Sequence, residues 1–97
     1  MSADYLTNLT EAVAALHGCH CSHSGTAQVH EMMNGRTVWK GEVEKFTLDG
    51  HPKASVAYAW SYEDDDGETR YVAVLELPPI ISPRHAVQAA IASGQIS

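Results

Sequence analysis

Five side chains able to bind a soft metal stand within seven residues, in the run His17-Gly18-Cys19-His20-Cys21-Ser22-His23. Thiolate and imidazole are the donors that Zn²⁺, Cu⁺ and Ni²⁺ favour. In an extended segment Cys19, Cys21 and His23 project to one side and His20 to the other. Zn–S bonds of about 2.3 Å require donor atoms roughly 3.5–4 Å apart, so the run would have to curl, which Gly18 and Gly25 permit. The spacing contains no C-x-x-C, no second Cys pair and no partnered H-x₃₋₅-H. A zinc or other transition-metal site at His17, Cys19, Cys21 and His23 is therefore the alternative to a plain loop following a helix. The same cysteines beside histidines could serve as nucleophiles, but no orienting acid or oxyanion site accompanies them in the sequence. The Cα atoms of Cys19 and Cys21 would be ~6.5 Å apart if extended, near the upper limit for a bridge, so free thiols are expected.

Asp49-Gly50-His51-Pro52-Lys53 reads first as a connection between two strands, Gly supplying positive φ and Pro stiffening it; the alternative is that His51 and Lys53 bind an anion or carry a proton. The aromatic set Trp39, Tyr58, Trp60, Tyr62 and Tyr71 is either core or a contact face. His51, Lys53 and Trp60 are the candidate ligand-binding residues. Glu63-Asp64-Asp65-Asp66-Gly67-Glu68 is too short for a twelve-residue calcium loop and is expected to be a solvated turn.

The elements that must position these residues follow from periodicity. Leu6, Leu9, Val13 and Leu16 form one stripe at the helical period over residues 4–17, with Asp4 as N-cap and Gly18 at the position that ends the helix. Residues 18–26 read as a loop. Asn34-Gly35 between two apolar runs predicts a hairpin, pairing a short strand at 27–33 with one at 36–48. Within the latter, Trp39 and Val43 share one phase and Phe46 and Leu48 the other, which predicts a bulge near Glu44-Lys45. In the strand at 54–62, Val56, Tyr58, Trp60 and Tyr62 alternate with Ser55, Ala57, Ala59 and Ser61; the small face suits a close helix. The strand at 70–77 is apolar on both faces, which predicts a central position. Ser82-Pro83 opens a last helix over 82–94, Ser as N-cap and Pro at N1, with Ala86, Val87, Ala90 and Ile91 buried.

The expected fold is thus a single α+β domain over residues 1–97. An antiparallel sheet of three to four strands is held between N-terminal and C-terminal helices, in the order α-β-β-β-β-α. Without the strand at 27–33 the order becomes α-β-β-β-α, which resembles the double-stranded-RNA-binding topology. That family places basic residues at the start of its last helix, where this chain has Arg84 alone, and topology does not carry function. Twelve Asp and Glu against six Lys and Arg give a net charge of −6, a poor match for a polyanion; no nucleic-acid partner is expected. No apolar run approaches the ~18 residues that span a bilayer, and the first residues lack the basic and apolar regions of a signal peptide. The expectation is no membrane association and a cytoplasmic location.

Residues 37–60, with Gly50-His51-Pro52-Lys53-Ala54 and Tyr58-Ala59-Trp60 as their most specific part, resemble a family of short uncharacterised bacterial proteins. The resemblance extends to Leu16-His17-Gly18-Cys19, Val72-Ala73-Val74-Leu75, Pro78-Pro79, Ser82-Pro83, Ala86-Val87 and Ala89-Ala90-Ile91. It implies a compact bacterial domain and brings no activity with it. The family pattern does not call for His20 or Cys21, so a Cys-rich metal site would be particular to this chain. The leading expectation is a non-enzymatic domain acting by self-association, as a homodimer, or by contact with another protein. If both helices cover one face of the sheet, the aromatics on the other face favour such contact.

Overall fold

The computed structural model describes residues 3–94, with side chains from Tyr5 onward; α1 begins at Ala3, so Asp4 lies inside the helix and is not its N-cap. The order is α1 (Ala3–His17), β1 (His20–Met33), β2 (Arg36–Asp49), β3 (Val56–Glu63), β4 (Thr69–Leu75) and α2 (Pro83–Ala92). The four strands are antiparallel, in the spatial order β1-β2-β3-β4. The α-β-β-β-β-α order holds, and the three-strand alternative does not.

Several local expectations are met by identifiable chemistry. Gly18 ends α1 at φ +64°, its N–H donating to Ala14 O at 2.8 Å. Asn34 and Gly35 both take positive φ in the β1–β2 turn, as a type I′ geometry demands. The Ser82 hydroxyl accepts from the His85 N–H at the start of α2, with Pro83 in the first turn.

The two helices lie on opposite faces of the sheet. Ala57 and Ala59 pack with Leu9 and Val13 of α1, together with Phe46 and Leu48. Their neighbours Tyr58 and Trp60 pack with Ala86, Val87 and Ala90 of α2, together with Val29, Val43 and Val72. Successive residues of a strand point to opposite faces, so β3 feeds two separate cores. This corrects four expectations. The aromatic face is not open, because α2 covers it. The phase change along β2 is not a bulge: Trp39 and Val43 face α2 while Phe46 and Leu48 face α1. The ladder does carry a bulge beside Lys45, but its extra residue is Ser24 on β1; the other irregularity leaves Val38 extra on β2. And β4 is an edge strand, apolar on both sides because each face has a helix over it. Leu16, expected in the buried stripe, is 59% exposed.

The largest correction concerns residues 18–26. Six of the seven residues from His20 to Thr26 pair with β2, from His20 opposite Asp49 to Thr26 opposite Glu44. The expected loop is the first half of a fourteen-residue strand. Beyond it the β1–β2 hairpin becomes an arm. β2 pairs with β3 only from Glu44 to Thr47, so residues 36–43 continue with β1 alone. Packing of α2 on one face anchors this arm. Glu31, 6% exposed, accepts from Arg84 Nε at 2.6 Å and from Gln88 Nε2 at 2.8 Å. These bonds hold the Glu31 carboxyl below its ordinary range, Gln88 contributing most and Arg84 next.

Candidate functional site

β1 and β2 bring together a polar cluster under α1. Glu44 shares a phase with Phe46 and Leu48 and is fully buried. Its Oε1 accepts from Thr26 Oγ1 at 2.6 Å and from His23 Nε2 at 2.7 Å. Its Oε2 is buried and, among the described residues, finds no partner. His23 lies edge-on to Phe46, centroids 5.6 Å apart, with its side chain 32% exposed. Tyr5 of α1 adjoins the cluster: burial pushes its phenol up, a hydrogen bond with Ser61 opposes this, and the charge of Glu44 adds to the rise. Chemically this is a carboxylate orienting an imidazole by one nitrogen.

The four candidate metal ligands do not converge on one point. His17 Nε2 donates to Ala73 O on β4 at 3.3 Å, with its ring 6.1 Å from that of His51. Cys19 and Cys21 are free, half-buried thiols packed against the α1-side core. Cys21 Sγ donates to Thr10 O at 3.4 Å, and burial, then the neighbouring Cys19, pushes its thiol up. That is the environment of an inert thiol, since the thiolate is the reactive form. His23 is turned to Glu44. Among the described residues no three His, Cys, Asp or Glu side chains are grouped to hold a metal ion.

The three candidate ligand-binding residues are not gathered at one surface. His51 Nδ1 accepts from the backbone N–H groups of Lys53 and Ala54, both at 3.1 Å, so the ring pins its own turn. Lys53 is exposed on that turn. Trp60 is 1% exposed inside the α2-side core, edge-on to Trp39 with centroids 5.5 Å apart. Gly41 makes room for Trp39: a Cβ there would lie 3.1 Å from the indole. The acidic run is a turn, as expected. Asp64 Oδ1 accepts from the N–H of Asp66 and of Glu68, and its Oδ2 accepts from Arg70 at 2.7 Å. Arg70, then these amides, holds the Asp64 carboxyl low.

Tyr58 donates to Glu76. Burial first, and then this bond, pushes its phenol up to about 12. A tyrosine whose folded pKa is raised keeps its contribution below the unfolded value of about 10 and loses it as pH rises toward 12. An ultraviolet titration of phenolate is expected to show one tyrosine ionising near pH 12, with stability declining above pH 10. Tyr58→Phe should remove that late step; a late step that survives would mean another tyrosine carries it.

Glu44 and Thr26 escaped sequence reading. The available signal was phase: two residues before Phe46 and four before Leu48, Glu44 had to face the core that those residues define. Comparison of the chain with known protein families, with curated proteins and with solved structures finds no match.

Proposed function

We propose that this is a contact domain, cytoplasmic and without chemistry of its own, that binds a second polypeptide along the β1–β2 arm. One observation carries the reading. Past Glu44 the arm leaves β3, and near its end Met32, Met33 and Val38 are 56%, 59% and 43% exposed. Ile91 and Ala92 of α2 line the same shallow groove. Clustered exposed apolar side chains mark contact sites more often than scattered ones do, and methionine adapts to varied partners. The closed environment of Glu44 and the inert one of Cys21 support a role without catalysis. The resemblance to short bacterial proteins is compatible with a small domain of this kind.

The test is sedimentation of fluorescently labelled protein, alone and in a soluble cell extract. The comparison is with the variant Met32→Ser, Met33→Ser, Val38→Ser. Exposed sites of this kind change stability by about 0.5 kcal/mol or less each, so the variant should fold. Wild type should sediment as a complex in at least one setting and the variant as a free chain in both. Identical profiles in both settings would overturn the reading.

A further inference from the structure

We propose that the outer edge of β1 receives a second copy of this chain, its β1 running antiparallel to the first across a two-fold axis. This rests on the contact-domain reading and names its partner. Edge strands of monomeric proteins are defended by shortness, Lys, Pro, bulges or a cover. The other edge of this sheet is defended so: β4 has seven residues, carries Arg70, and has the His17 ring on the Ala73 carbonyl. β1 has fourteen residues and contains no Lys, Arg or Pro. Its one carboxylate, Glu31, is turned inward to Arg84 and Gln88. Its one defence is the extra residue Ser24; from Gly25 to Met33 the irregularity of the ladder falls on β2, at Val38. Nine residues of edge, their one carboxylate at Glu31 turned inward, are paired on the β2 side alone among the described residues.

Charge selects a second copy as the occupant. Each chain carries −6, which opposes association in general, so two copies meet most readily along a stretch whose charges are locally balanced: beside β1, the strand β2 sets Arg36, Lys40 and Lys45 against Glu42 and the buried Glu44, and Glu31 is bonded to Arg84. Five of the twelve carboxylates (Glu63, Asp64, Asp65, Asp66 and Glu68) lie at the β3–β4 connection, on the side of the sheet away from β1. A two-fold axis at β1 sets those two turns at the far ends of an eight-stranded sheet. A basic partner would instead be drawn to that acidic turn. The isologous arrangement is self-complementary: neutral edge faces neutral edge, and the exposed methionines of each arm lie beside the partner's β1.

The test uses the whole chain in dilute buffer. Neighbouring residues of a strand send their N–H groups to opposite edges. Of Ala27→Pro and Gln28→Pro, one therefore keeps the ladder to β2 and loses only its outward donor. Circular dichroism identifies the variant that folds. Wild type should form a dimer on light scattering, and the folded variant should associate about 30-fold more weakly or worse, since the symmetry removes two hydrogen bonds worth roughly fivefold each. Hydrogen exchange on wild type adds a reading without mutation: outward amides of Gly25–Met33 should gain protection on concentration. A dimer that keeps its affinity in the folded variant, or β1 amides indifferent to concentration, would overturn the edge assignment while leaving the arm as a contact site. A wild type monomeric in buffer would also overturn it; a complex formed only in cell extract would then keep the broader reading.

Discussion

Trp60→Ala should lower stability by about 3–5 kcal/mol, the range for truncating a buried large aromatic. For a domain of this size that is roughly 12–40 °C in Tm, and a large share of a total of about 5–15 kcal/mol. Trp60 is 1% exposed, meets Trp39 edge-on, and is packed with the buried face of α2. The void would sit between sheet and helix, where neither can collapse without losing the other's contacts. Trp60→Phe separates volume from polarity. The indole N–H is buried and, among the described residues, has no acceptor, and such an orphan donor carries its own penalty. Phenylalanine removes the orphan along with part of the ring, so its cost should be about 1–2 kcal/mol. Urea denaturation checks both. A loss below 1 kcal/mol for Trp60→Ala would mean that the α2-side core is not packed as described.

Glu44→Ala is the second large effect, about 3 kcal/mol. Truncation removes an acceptor of two hydrogen bonds from a fully buried site. Leaving the buried partners of a lost acceptor unsatisfied costs about 1–3 kcal/mol, and the packing lost with the side chain adds to it. Glu44→Gln keeps the shape and one acceptor oxygen, replaces the carboxyl by an amide, and should cost less than half as much. A double-mutant cycle of Glu44→Gln with His23→Ala measures the coupling. Equal losses for Ala and Gln would place the stabilisation in the carboxyl group itself; no loss for Ala would leave the cluster without structural weight.

The sequence carried the elements well where a residue has one physical use. Gly18 as a helix stop, Asn34-Gly35 as a turn, and Ser82-Pro83 as a helix start each exploit a backbone property no other residue supplies as readily. It carried less where chemistry and shape compete. His20–Thr26 is built from Cys, His, Ser, Gly and Thr, with no apolar alternation, so nothing local announced a strand; pairing with β2 made it one. Ligand-rich composition suggested a loop that could curl around an ion, and the ladder instead sends His23 to Glu44 and Cys21 to Thr10. β2 and β4 depart from the expectation for a common reason. Strands covered on both faces lose polar alternation, and that loss is easily read as a bulge or as a central position. The tie between Glu31 and α2 spans more than fifty residues of chain, beyond any local pattern.

The alternation in β3 has a consequence for fidelity in folding. Where one side of a sheet meets water, a one-residue slip is penalised by burying polar groups and exposing apolar ones. At Ala57-Tyr58-Ala59-Trp60 both sides are buried, so polarity cannot tell the right pairing from the wrong one. Volume does so instead. A slipped β3 would thrust two aromatic rings at Leu9 and Val13, where methyl groups now fit, and would leave hollows before Ala86 and Val87. The error is rejected by steric misfit on one side and vacancy on the other.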